Sequence, residues 1–385
     1  MPSIHWRKRP LAVALSCIAV FSVAIILLLR STGTNIDPKR FAHDVFRKKP
    51  GPTAAQLPPE DGKRAKAALI SLVRNSEIDQ LKQSMTELEA VFNHKFNYPW
   101  IFFNDEPFDE NFKKVTRELT NAEIQYEQIP KEHWEVPSWI NKDLMYASFD
   151  KLASENVQYS KMLSYHQMCR WNSGMFYKHP ALDDYKWYWR VEPNVHFYCD
   201  IDYDVFRFME KNNKTYGFTI NLYDSPQSLP TLWPTTEEYI DAHPEYLAPD
   251  NSMEWLTDAT NRPHHNFLAH GYSACHFWSN FEIADLDFWR GDAYDKYFEY
   301  LDKSGGFFYE RWGDAPVHSI GVGLFADKSQ VHYFDDIGYN HVPFVNCPDL
   351  PGKCRGCEPN EFFRGVGLEK ENCMPVWNKM MEKAN

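Results

Sequence analysis

The run "WYWRV" at 187–191 leads into Glu192-Pro193-Asn194, and Asp200, Asp202 and Asp204 follow within a few residues. Aromatic and β-branched residues mark a buried strand, and a buried strand has little structural use for crowded acid at its end. Mg²⁺ and Mn²⁺ do have a use for it, because they take one or two carboxylates together with phosphate oxygens. In open α/β sheets, ligands bind beyond the carboxyl ends of the strands. Glu192 at such an end, with Pro193 stopping any helical continuation, therefore suits the binding of a nucleoside diphosphate through a cation. The competing reading is a solvated strand end. Asp200-Ile201-Asp202 also spells an Asp-x-Asp, but it is short and lies past the strand tip.

The elements that must position this tip are visible in the hydrophobic pattern. "AALISLVRN" (67–75) reads as a buried strand, and "YPWIFFND" (98–105) as a second one. Between them Ile78, Leu81, Met85, Leu88, Val91 and Phe92 recur at helical spacing, with Ser76 as the expected N-cap. Strand, helix and strand within forty residues predict a βαβ unit with parallel strands. A helical stretch near "ASENVQYSKMLSYHQMCRW", a strand at "TYGFTINLYD" and a helix at "DAYDKYFEYLDKSGG" stopped by two glycines continue the alternation. The expected fold is one α/β domain.

Residues 11–29 form nineteen uncharged, apolar residues behind Arg7, Lys8 and Arg9. At a rise of ~1.5 Å per residue, that length spans a bilayer core. The basic flank places residues 1–10 in the cytosol. A cleaved signal peptide is the alternative, but its apolar region would be shorter and end at small residues. The Pro- and Lys-rich segment 30–64 reads as a stem, and 65–385 as a lumenal domain. A net charge of −12 over 385 residues argues against nucleic-acid binding. Beyond Cys17 in the anchor there are seven cysteines, four of them in the tail: Cys347, Cys354, Cys357 and Cys373. An oxidising compartment favours disulfides over zinc there, and the three pairings of those four stay open. The odd count leaves a thiol unpaired or bonded between chains. Asn213-Lys214-Thr215 is a glycosylation sequon that this topology would expose.

Four longer segments carry a resemblance: "MCRWNSGMFYKHPAL", "YWRVEPNVHFYCDI", "GYSACHFWSNFEIADLDFWR" and "SGGFFYERWGDAPVHS". From about 67 to 373 the chain closely resembles the fungal α-1,2-mannosyltransferases of glycosyltransferase family 15. The resemblance implies a GT-A-type nucleotide-sugar-binding domain with a mixed central sheet, anchored in the Golgi or ER membrane as a single-pass type II protein. It implies transfer of mannose from GDP-mannose to mannosylated glycoprotein acceptors, with retention of configuration and with Mn²⁺. The family's Glu-Pro-Asp tip is here Glu192-Pro193-Asn194, and the Asn removes a charge near the cation. That departure feeds the alternative of a weak or inactive paralogue acting as a scaffold. A UDP-sugar donor is a further alternative.

The resemblance also implies roles for individual residues. Glu192 and His341, the latter in "GYNHVPF", would be the metal ligands. Glu282 in "SNFEI" is the expected nucleophile, Tyr165 a tyrosine near the reaction centre and Asp314 a carboxylate close to the sugars. Ser279 is a further donor-binding candidate. Among basic residues, Arg74 sits at the end of the first strand, where this fold binds the nucleotide. Arg170 would reach a phosphate or else form a surface salt bridge. Retention admits either double displacement through a carboxylate on the far side of the sugar or a front-face route.

Overall fold

The computed structural model describes residues 64–364 and 367–383. The expected cytosolic tail, the anchor and nearly all of the stem lie outside the described residues. Among those described, no helix is long and apolar enough to cross a membrane.

Strand β1 (Ala67–Leu72) is followed by helix α1 (Ile78–Leu88), which buries Leu81, Met85 and Leu88 at the predicted spacing. Its entry differs from expectation. A 3₁₀ turn at Asn75–Glu77 precedes it, and the Arg74 backbone N–H donates to the Glu77 carboxylate at 2.8 Å, so Ser76 does not cap the helix. A π turn over Glu89–Asn93 prolongs it. Strand β2 (Trp100–Asn104) then pairs parallel with β1, as the βαβ reading requires. Helix α2 (Glu110–Leu119) is capped by Asp109, whose carboxylate accepts from the Phe112 N–H at 2.7 Å, and leads to β3 (Ile124–Gln128).

The stretch expected as one helical region before the acidic tip is two helices, α3 (Lys142–Ser154) and α4 (Leu163–Arg170). Asn156 and Tyr159 interrupt it with left-handed backbone, φ 61° and 60°. Strand β4 (Trp187–Val191) ends at Glu192, as predicted. After the short β5 (Val195–Phe197), the "TYGFTINLYD" segment divides into β6 (Tyr216–Phe218) and β7 (Asn221–Tyr223). These belong to different sheets, because β7 pairs with β8 (Cys275–Phe277). Strand β9 (Phe281–Asp285) and helix α5 (Asp292–Ser304) follow. Gly305 ends α5 at φ 82°, a left-handed C′ position that glycine occupies without steric cost. Helix α6 (Asp314–Phe325), β10 (Val331–Tyr333), β11 (Tyr339–His341) and β12 (Phe344–Asn346) complete the domain's framework.

Seven strands form one mixed sheet in the order β10-β6-β9-β4-β1-β2-β3. Strand β4 is central, parallel to β1 and antiparallel to β9, with Arg190 opposite Glu282. Alternation along β4 divides its side chains between two cores. Trp187, Trp189 and Val191 join the α1 side with Phe281 and Ile283, while Tyr188 joins Tyr216, Ala284 and Trp289 on the other. Arg190 and Glu192 share the parity of Tyr188. The charged residues of β4 thus face the same side of the sheet as Glu282.

Three disulfides cross the fold: Cys199–Cys354, Cys275–Cys373 and Cys347–Cys357. Two of the four tail cysteines therefore bond to cysteines outside the tail, so none of the three within-tail pairings is complete. All four are oxidised, which leaves no thiolates for zinc. Among the described residues, Cys169 is the free, buried thiol. Cys275–Cys373 closes a separation of 98 residues and ties the C-terminal helix Met374–Glu382 to β8. Cys373→Ser is expected to cost about 2–5 kcal/mol of stability, the range for long-loop bridges. An unshifted denaturant midpoint under non-reducing conditions would contradict that.

Candidate active site

Arg190 organises the carboxyl edge of the central sheet. Its Nη1 donates to Asp314 Oδ2 at 2.6 Å and lies 3.9 Å from Glu282 Oε1, and its Nη2 is ion-paired with Glu192 Oε1. Burial disfavours the guanidinium charge, but Glu192, Asp314 and Glu282 together hold its pKa well above the ordinary value. Three carboxylates around one guanidinium leave two formal negative charges in excess, which one divalent cation would neutralise.

Asp314 is the first residue of α6 and is buried. Burial raises the pKa of such a carboxyl, yet the Arg190 charge and hydrogen bond, with help from His318 and the Ser279 hydroxyl, keep it below the usual carboxylate range. Ser279 Oγ donates to Asp314 Oδ2 at 2.7 Å. Ser279 therefore joins the cluster, in direct contact with Asp314.

Glu282 is only 1% exposed. Its Oε1 accepts from the Tyr188 hydroxyl at 2.9 Å, and its Oε2 from the Tyr216 hydroxyl at 3.1 Å and His318 Nδ1 at 2.9 Å. The segment around it is rich in Trp and Phe. At the carboxylate itself the surroundings are hydroxyl, imidazole and guanidinium. His318 lies one turn beyond Asp314 on α6, so a single helix face serves both carboxylates.

Glu192 keeps its side chain 27% exposed, so one face of the carboxylate is open beyond the strand tip. His341 is carried there by sheet pairing, because β11 lies against β5 with His341 opposite Val195, three residues after Glu192. The Tyr339 hydroxyl donates to Asn280 Oδ1 at 2.9 Å, and the His341 ring packs edge-on against Trp278 with centroids 4.9 Å apart. His341 Nδ1 lies 3.3 Å from the Val342 carbonyl, and in the tautomer that carries its proton on Nδ1 the ring's Nε2 is the acceptor. Carboxylate oxygen and neutral imidazole form a donor set that suits Mn²⁺. Among the described residues, no group of three or more His, Cys, Asp or Glu side chains gathers as a metal cluster. Asp202 of the Asp-x-Asp is instead paired with Lys95 at 3.3 Å and Lys353 at 2.8 Å.

Asn194, the departure from the Glu-Pro-Asp pattern, has φ 63°. Asn is among the few residues that tolerate this left-handed conformation. Asp tolerates it as well, so the substitution removes a charge near the tip without straining the β4–β5 turn.

Tyr165, on α4, stacks on Tyr159 with centroids 4.8 Å apart and accepts from Arg311 Nη1 at 3.4 Å. Burial pushes its phenol pKa well above the ordinary range, with Arg311 opposing the shift and Asp314 adding to it. Arg74 is exposed at the carboxyl end of β1. Arg170 needs correction. It is buried, and its Nε and Nη2 donate to the two carboxylate oxygens of Asp302 at 2.7 and 2.8 Å. A guanidinium closed into that fork on the interior side of α4 neither reaches a phosphate nor sits on the surface.

Several residues went unread in the sequence: Arg190, His318, Tyr188 and Tyr216 in the cluster, and the Arg311–Asp224 pair beside Tyr165. Signals existed for two of them. Arg190 stands two residues before Glu192 and so shares its face, and His318 follows Asp314 at helical i,i+4 spacing.

The fold is shared with solved mannosyltransferases. Core-mannan synthase A (CmsA/Ktr4) from Aspergillus fumigatus, in its Mn/GDP form, superposes with TM-score 0.82 at 61% identity, over 84% of this chain and 87% of that one. The mannosyltransferase Ktr4p of S. cerevisiae in complex with GDP matches with TM-score 0.81 at 46% identity, over 82% of each chain. The alpha-1,2 mannosyltransferase KTR1 of Saccharomyces cerevisiae is 48% identical over 313 residues, 80% of this chain and 77% of that protein. The family model described as glycolipid 2-alpha-mannosyltransferase matches residues 31–382, and the chain belongs to that family.

Proposed function

We infer that this chain is a retaining α-1,2-mannosyltransferase that moves mannose from GDP-mannose onto mannose residues of O-linked glycans, with N-linked chains as a second acceptor class. Its acceptors would be secretory and cell-wall glycoproteins. The observation that carries this reading is the Arg190-centred cluster, which gathers Glu192, Glu282, Asp314 and Ser279 at one sheet edge; His341 on β11 pairs opposite Val195, three residues after Glu192.

In this reading Glu192 and His341 hold Mn²⁺, which when bound stabilises the negative charge growing on the departing diphosphate. Arg74 takes part in nucleotide binding from the end of β1. Asp314, kept ionised by Arg190, accepts hydrogen bonds from sugar hydroxyls. Tyr165 lies near the sugar undergoing transfer. Glu282 stabilises positive charge developing on the anomeric carbon. Three donors on its two oxygens hold the buried carboxylate in place for that role, and attack as a nucleophile in a double displacement is the other route to retention. The apolar run 11–29 supports a type II anchor with residues 65–385 in the lumen of the Golgi, with the ER as the other candidate compartment.

The test is product analysis. The full-length chain in detergent, given GDP-mannose, Mn²⁺ and methyl α-mannoside, is expected to yield GDP and an α-1,2-linked dimannoside by NMR. No consumption of GDP-mannose, turnover of a UDP-sugar instead, or a β-linked product would overturn the assignment.

A further inference from the structure

Arg311 is a buried cation outside the Arg190 cluster, and it touches a residue to which the proposed function gives a role. It follows the short helix Gly306–Tyr309, whose Gly306 leaves room for the Trp312 indole: a Cβ there would lie 2.2 Å from it. The Arg311 backbone N–H donates to the Ser228 carbonyl at 2.9 Å. Its Nη2 donates to Asp224 Oδ1 at 3.2 Å, and Nη1 reaches the Tyr165 hydroxyl oxygen. Asp224 stands at the end of β7, where its Oδ1 also accepts from the Ser225 N–H at 2.7 Å. Among the described residues, Arg311 Nε is buried without a hydrogen-bond partner.

A guanidinium has donors and no acceptor. The Arg311 contact therefore occupies a lone pair of the Tyr165 oxygen, and the phenol's own proton has to point elsewhere. The ring has two neighbours as well. Tyr159 stacks on it at an interplanar angle of 18°, and Arg311 Cζ lies 5.7 Å from its centroid. At 3.4 Å the Nη1 contact is long, of the kind that shortens once substrate is held.

We propose that Arg311, anchored by Asp224, is a positioning residue that orients the Tyr165 hydroxyl as a hydrogen-bond donor toward the reacting sugars. This rests on the reading of Tyr165 given above and adds the element that aims it. Asp224 sets the guanidinium, the guanidinium takes the phenol's lone pair, and the proton is left for an oxygen of the donor or acceptor sugar.

A double-mutant cycle in the full-length chain tests this. Tyr165→Phe is expected to lower kcat on the order of 10²-fold, and Arg311→Gln by roughly 10–100-fold, within the range for a group acting on the transition state. In the Tyr165→Phe background, Arg311→Gln should cost less than about threefold further, because residues acting through one another are non-additive. KM for the acceptor, GDP affinity by calorimetry and the melting temperature should stay near wild type, which a merely structural arginine would not allow. Arg311→Lys, which keeps the charge without the fork, should recover part of kcat. Multiplicative losses in the double mutant would overturn the proposal while leaving Tyr165 its role. An unchanged kcat in Tyr165→Phe alone would overturn the reading of Tyr165 and this proposal with it. Should Arg311→Gln not fold, Asp224→Asn run through the same cycle gives the same decision.

Discussion

Glu282→Gln is expected to lower kcat on the order of 10²–10³-fold, the loss typical of removing one preorganised electrostatic group, while GDP binding keeps its wild-type strength. The carboxylate is buried at the sheet edge, where water does not screen it, so its charge acts strongly on a neighbouring cationic centre. Glutamine keeps the shape and removes the charge. The Tyr188 and Tyr216 hydroxyls can rotate to meet an amide, and Arg190 still has Glu192 and Asp314, so no buried cation is stranded. The stability cost should stay at about 1–3 kcal/mol, that of an imperfectly paired buried group. GDP release, calorimetric GDP titration and the thermal midpoint separate the possibilities. Wild-type kcat with a lowered midpoint would make Glu282 a structural residue of the sheet and remove it from the chemistry.

What could be read beforehand divides along sequence distance. Glu192 was legible because strand alternation and a following proline are local signals, and both end β4 where the structure ends it. The βαβ start was legible for the same reason. Arg170 was misplaced because its partner, Asp302, lies 132 residues away and nothing near either residue announces the other. Disulfide pairing failed likewise: Cys199 and Cys354 are 155 residues apart and meet only once β5, β11 and the tail have packed. His341 came from family resemblance alone, since a three-residue strand pairing across the fold leaves no periodic trace. The Arg311–Asp224 pair escaped notice because both residues sit at element ends, where charge is ordinarily solvated and carries no signal.

Glu192→Ala and His341→Ala should each weaken Mn²⁺ binding in the presence of GDP by roughly 10–100-fold, a scale set by losses of metal-supporting groups. The two should differ in a second readout. Removing Glu192 takes one carboxylate from a cluster with two formal negative charges in excess, so the cluster's electrostatic pull on a cation falls along with the lost ligand. Removing His341 deletes a neutral ligand and leaves that pull intact, so excess Mn²⁺ should restore its kcat more completely. Asp202→Ala serves as the control. That carboxylate is half exposed and already paired with Lys95 and Lys353, and Mn²⁺ affinity should not change. Asn194→Asp should hold or improve the affinity, since Asp also tolerates φ 63° and adds a charge near the tip. Free Mn²⁺ measured by EPR reports all four variants without reference to turnover. If Glu192→Ala and His341→Ala bind Mn²⁺ as the wild type does while Asp202→Ala does not, the cation belongs at the Asp-x-Asp, and the excess charge around Arg190 has some other counterion.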